Sequence, residues 1–170
     1  MSVLDTILSS MGPGVVQQIT NQFCLDGNQA TSALSALIPV LAGGLKDKVT
    51  GDGAPGLMDT ITGSTFQQFA DNPASLSSPA AIQQGNSLLS QIFGGSEALS
   101  DITSKASESS GLSSPLLRSM LPVVASLLMG YISKNAAGDP AKVTDLVSSL
   151  AGGGGIVDAL KGLASKVFGG

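Results

Sequence analysis

The 170-residue chain has no histidine, no tryptophan and a single cysteine, Cys24. Without histidine it cannot build a Ser-His-Asp or Cys-His catalytic arrangement. One cysteine and no histidine also leave no ligand set for zinc. A lone cysteine forms no internal disulfide, which fits a reducing compartment. Cys24 follows an apolar stretch with no cation near it in sequence and reads as a small core residue. Charge is scarce too: Asp, Glu, Lys and Arg make up 12% of the chain, against about 25% in ordinary domains. The formal net charge is −4 and the eight Lys and Arg stand singly. No basic stripe exists to neutralise phosphates, so nucleic acid is not an expected partner.

Aromatics amount to only 4%, so the core must come from Leu, Ile, Val, Ala and Met, which suits helices meeting through small residues. The N-terminus, MSVLDTILSSM, carries Asp5 and no basic residue ahead of its apolar positions, unlike a secretory signal. The longest strongly apolar window, between Arg118 and Lys134, holds fifteen residues and contains Pro122. A spanning helix wants about 20 residues, so this window reads as a buried core helix, and a cytoplasmic location is expected.

What is present is helical periodicity. Leu116 to Ile132 (LLRSMLPVVASLLMGYI) is apolar on nearly every side when wound at about 3.6 residues per turn. Ala33 to Leu45 is a softened copy, with Pro39 where the other has Pro122. Val3, Leu4, Ile7, Leu8 and Met11 suggest a short opening helix, and Pro13 starts a second. Asp26 and Gln29 have capping-box spacing ahead of a third helix that shows Ala30, Leu34, Leu37, Leu41 and Leu45 on one face. Residues 50–56 read as a loop, and residues 71–85, rich in Ser, Pro, Ala and Asn, as a mobile connection. Leu88, Leu89, Ile92 and Phe93 give a short helix ended by Gly94-Gly95, and Ala98, Leu99 and Ile102 begin the next. Ser113 or Ser114 caps the Leu116–Ile132 helix, and Asp139-Pro140 starts one with Val143, Leu146, Val147 and Leu150 inward.

A shift of 83 positions superposes Gly12 on Gly95, Val16 on Leu99, Ile19-Thr20 on Ile102-Thr103, and Pro39 on Pro122. This spacing predicts a diverged tandem duplication. The expected fold is an all-α multihelical single domain with two central proline-kinked helices. Its core spans 1–135, with repeat-like halves at about 1–50 and 85–135 joined by 51–84. An additional helix at 136–151 follows, then a glycine hinge and amphipathic helix at 152–170. Ala42, Gly43, Gly44, Ala125, Ser126 and Gly130 suggest close approach of the two central helices.

Among possible sites, Gly94-Gly95-Ser96 precedes a helix start but lacks the Gly-Lys-Ser/Thr of a phosphate loop, and helix termination explains it. Asp47 and Asp52 read as a solvated turn, and no calcium loop is present. No catalytic, cofactor-binding or metal-binding residue is assigned. Two candidate interaction features remain. Arg118, the sole arginine, lies four residues before Pro122 and reads mainly as a snorkelling side chain. Ile156, Val157, Leu160, Leu163, Val167 and Phe168 form the apolar stripe of the C-terminal segment, which can dock on its own domain, on another copy or partner, or on a lipid surface.

The segments LDTILSSMG, LDGNQATSALSALIPVLAGGL, GNSLLSQIFGG and GLSSPLLRSMLPVVASLLMG, in this order, resemble the YidB-like family, a bacterial domain of unknown function. The resemblance covers about residues 1–135. It implies a small multihelical cytoplasmic protein and supplies no catalytic residue, cofactor or partner. Residues and resemblance together predict a non-enzymatic helical interaction or assembly module that associates with itself or with a protein partner. The alternative is a membrane-peripheral or lipid-binding protein using the C-terminal helix or an apolar cavity.

Overall fold

The computed structural model describes residues 13–51, 54–62 and 66–151, and all regular structure among them is helical. Helix α1 (Pro13–Phe23) buries Val15 and Ile19. It stops at Cys24, whose φ of 53° is left-handed, and the Leu25 amide closes the end on the Thr20 carbonyl at 3.1 Å. Cys24 is exposed, so the expectation of a core cysteine is corrected. At φ 53° the backbone has left the helix, so the inward spacing of Val15 and Ile19 does not extend to Cys24.

Helix α2 (Gly27–Thr50) starts at Asp26, whose amide donates to Gln29 Oε1 at 3.1 Å, the return half of a capping box. Its predicted inward face is buried throughout: Ala30, Leu34, Leu37, Leu41 and Leu45. Pro39 lies inside the helix and has no amide hydrogen for the Ser35 carbonyl.

Helix α3 (Ala54–Thr62) begins within the stretch expected to be a loop and buries Leu57 and Ile61. A short α4 (Gln67–Asp71) and a 3-10 turn (Pro73–Ser77) lead to α5 (Pro79–Phe93). Here the structure differs from the expected mobile connection at 71–85. Leu76 and Ala81 are fully buried, and α5 is a 15-residue helix capped by Ser78, whose Oγ accepts from the Ala81 amide at 3.2 Å. A serine cap followed by proline in the first turn organises a stretch whose composition alone suggests a loop.

Gly94, with φ 77°, ends α5 as predicted, and Gly111, with φ 71°, ends α6 (Ser96–Ser110). Helix α7 (Ser114–Ala136) carries the most apolar stretch, and every residue from Leu121 to Gly130 is buried. By length and composition α7 alone among the described helices is apolar enough to cross a membrane, yet 78% of its most apolar window is buried inside the fold. Helix α8 (Pro140–Ala151) begins where Asp139 Oδ1 accepts from the Ala141 amide at 3.0 Å, and it buries Val143, Val147 and Leu150.

Helix α2 packs chiefly along α8 and α6, whereas α7 packs chiefly along α5, α4 and α6 and touches α2 over a shorter stretch. A close backbone approach lies between α5 and α7, where a β-carbon on Gly85 would fall 2.0 Å from the Pro122 carbonyl oxygen. One turn back on α5, the Ala81 carbonyl accepts from Ser126 Oγ, one turn forward on α7, at 2.8 Å. The two helices therefore cross antiparallel. Gly44 meets the Phe93 ring of α5, and Gly43 meets nothing within 4 Å.

Candidate functional site

The crossing of α5 on α7 fixes which face of α5 is left outward. With Ala81, Gly85, Leu88, Leu89 and Ile92 turned inward, Gln83, Ser87 and Gln91 are exposed at intervals of four residues. Residues so spaced lie on one side of a helix. They form one wall of a cleft of about 470 Å³, whose other wall carries Asp59 and Thr60 of α3. Ala80, Gln84 and Leu88 of α5 and the ring of Phe66 complete its lining. Phe66 packs edge-on against Phe69, with ring centroids 6.1 Å apart, which ties this part of the lining to the core.

The cleft is neutral apart from Asp59. Its side chains are mainly amides and hydroxyls, groups that both donate and accept hydrogen bonds. Gln84 Oε1 is buried at the cleft without a hydrogen-bond partner. Gln91 also lines a second depression of about 280 Å³ with Lys48 of α2 and Gly56 and Leu57 of α3. A separate depression of about 310 Å³ lies between the end of α7 and α8, lined by Asn135, Lys142, Asp145, Leu146 and Ser149.

Among the described residues, no three Asp, Glu, Cys or His side chains converge as a metal site, and the single ion pair is Lys134–Asp71 at 2.6 Å, exposed at the surface. Arg118 projects from the exposed side of the first turns of α7, well away in sequence from the groove residues of α3 and α5. Ile156, Val157, Leu160, Leu163, Val167 and Phe168 lie outside the described residues, as does the opening helix predicted from Val3 to Met11. The groove itself was not singled out from the sequence. The available signal was the Gln83, Ser87, Gln91 spacing, which becomes visible once α5 is extended back to Pro79.

Fold and groove together define an all-α domain with a closed apolar core and an open, amide-lined surface cleft. The chain belongs to a family of bacterial proteins of unknown function, DUF937, whose family model matches residues 5–135, and the YidB-like resemblance is consistent with that family. Comparison with curated proteins gives no match, and comparison with solved structures gives none. The matched region stops before α8, although Val143 and Val147 of that helix are fully buried against the rest of the fold. The packed unit thus reaches Ala151.

Proposed function

We propose that this chain is a non-enzymatic helical interaction or assembly module of the bacterial cytoplasm, working through protein contacts that include contacts with other copies of itself. The observation that supports this reading is the groove between α3 and α5: its walls are glutamine amides, hydroxyls and one carboxylate, a chemistry suited to holding a partner. Within the same reading, the Ile156–Phe168 stripe beyond the Gly152–Gly155 run is an assembly element, and Arg118 is a solvated cation.

Size-exclusion chromatography with light scattering, on the full chain and on a chain ending at Ala151, tests the proposal. Ending at Ala151 keeps α8 and its buried Val143, Val147 and Leu150. A defined oligomer of the full chain that dissociates on truncation supports a self-associating module. A monomer in both removes self-association and leaves a foreign protein partner. The lipid-binding alternative would use the C-terminal stripe or an apolar cavity; 78% of the most apolar window of α7 is buried inside the fold. Flotation with anionic liposomes tests the stripe: co-migration of the full chain supports membrane docking, and its absence removes that form of the alternative.

A further inference from the structure

Resting on the reading of this chain as an interaction module, we infer that the groove between α3 and α5 binds a polypeptide segment in extended conformation, with a cationic side chain placed at Asp59.

The inference begins with spacing. Gln83, Ser87 and Gln91 are four residues apart on α5, and each step advances about 6 Å along the helix axis. An extended strand advances about 3.3–3.4 Å per residue, so backbone groups on one of its edges recur about every 6.6–6.8 Å. From Gln83 to Gln91 is thus about 12 Å, within ~2 Å of the distance across four residues of extended peptide. A glutamine amide offers one acceptor and two donors, and a serine hydroxyl does both. Each can therefore meet a peptide carbonyl and a peptide N–H, whatever side chains that peptide carries.

Charge agrees with this. The cleft of about 470 Å³ is flanked at Gln91 by the depression of about 280 Å³ beside Lys48. Asp59 is the one charged side chain in the larger cleft and has no ion-pair partner among the described residues. A lysine or arginine on the bound segment would supply that partner. Lys48 in the second depression places a cation at the Gln91 end, where an acidic side chain or terminal carboxylate would fit.

The test uses full-length, isotope-labelled protein and positional-scanning pools of end-capped hexapeptides, read by the side-chain amide resonances of Gln83, Gln84 and Gln91. Pools with lysine or arginine fixed at one position are expected to shift those resonances. On the best peptide, N-methylation of alternate backbone amides removes donors while leaving side chains intact, and should weaken binding about tenfold. A Gln83→Ala/Gln91→Ala double variant should weaken it by a similar factor with its melting temperature retained, since both side chains are exposed on a helix. Asp59→Asn should abolish the preference for the cationic position. The inference is overturned if no pool shifts these resonances at millimolar concentration, if N-methylated peptides bind equally well, or if a neutral oligosaccharide such as maltotriose shifts them and peptides do not. Failure of the peptides together with a defined oligomer in light scattering would remove the groove assignment alone and leave the module reading standing.

Discussion

Gly85 of α5 lies so close to Pro122 of α7 that a β-carbon added to it would sit 2.0 Å from the proline's carbonyl oxygen and 2.6 Å from its carbonyl carbon. The obstacle is backbone on both sides, so neither helix can yield by turning a side chain.

Gly85→Ala should therefore lower the unfolding free energy by an amount at or above the upper end of the roughly 1–3 kcal/mol typical of overpacking. Gly43→Ala, where nothing lies within 4 Å, should instead raise it by about 0.5–1 kcal/mol through helix propensity. Urea denaturation of the two variants gives opposite displacements of the midpoint if the α5–α7 crossing is as described.

Gly44 is an intermediate case. An added β-carbon there would meet the tip of the Phe93 ring at 2.2 Å, and a half-buried ring can swing aside. Gly44→Ala should cost less in a Phe93→Ala background than in the natural one. A double-mutant cycle should return a coupling of about 0.5–3 kcal/mol.

The two buried serines of α7 should respond differently. Ser126 Oγ donates to the Ala81 carbonyl across the crossing, so Ser126→Ala should destabilise by about 1 kcal/mol. Ser133 is equally buried, but its Oγ has no partner. Removing that hydroxyl relieves an unmet desolvation cost, so Ser133→Ala should be neutral or stabilising by up to ~1 kcal/mol. Thermal melts of the pair resolve the sign.

Cys24 is exposed at a left-handed backbone position. One thiol per chain should react with Ellman's reagent in the native protein without denaturant. Cys24→Gly should stabilise by up to about 1 kcal/mol, because glycine adopts that backbone without the β-carbon clash.

Much of this fold is legible in the sequence because its causes are local. The inward face of α2 follows from the spacing of Ala30, Leu34, Leu37, Leu41 and Leu45, and the start of α8 from Asp139-Pro140. The burial of α7 follows from a stretch with no polar side to show to water. What escaped was long-range or overshadowed by composition. Ser78-Pro79 is the same kind of start as Asp139-Pro140, but it sits in a Ser-, Pro- and Ala-rich run that reads as a connector. With α5 begun too late, Gly85 looks like the end of a loop, and the Gln83, Ser87, Gln91 wall of the groove disappears from view. Cys24 was misplaced because an apolar residue at the end of an apolar helix can belong to the helix or to the turn that reverses it. Only the backbone, at φ 53°, distinguishes the two.

The place of α8 also bears on how the chain must be made. Proteins emerge from the ribosome N-terminus first, so α7, as apolar as a membrane span by composition, appears before the helix that covers its flank and that of α2. Until Ala151 is out, a strip of both helices faces water and offers itself to chaperones, to membranes and to other unfinished chains. The family-matched region ends at residue 135 and so leaves out the helix that carries Val143, Val147 and Leu150 into the core. Expression trials that stop there should yield aggregate, whereas those that run to 151 should yield folded protein.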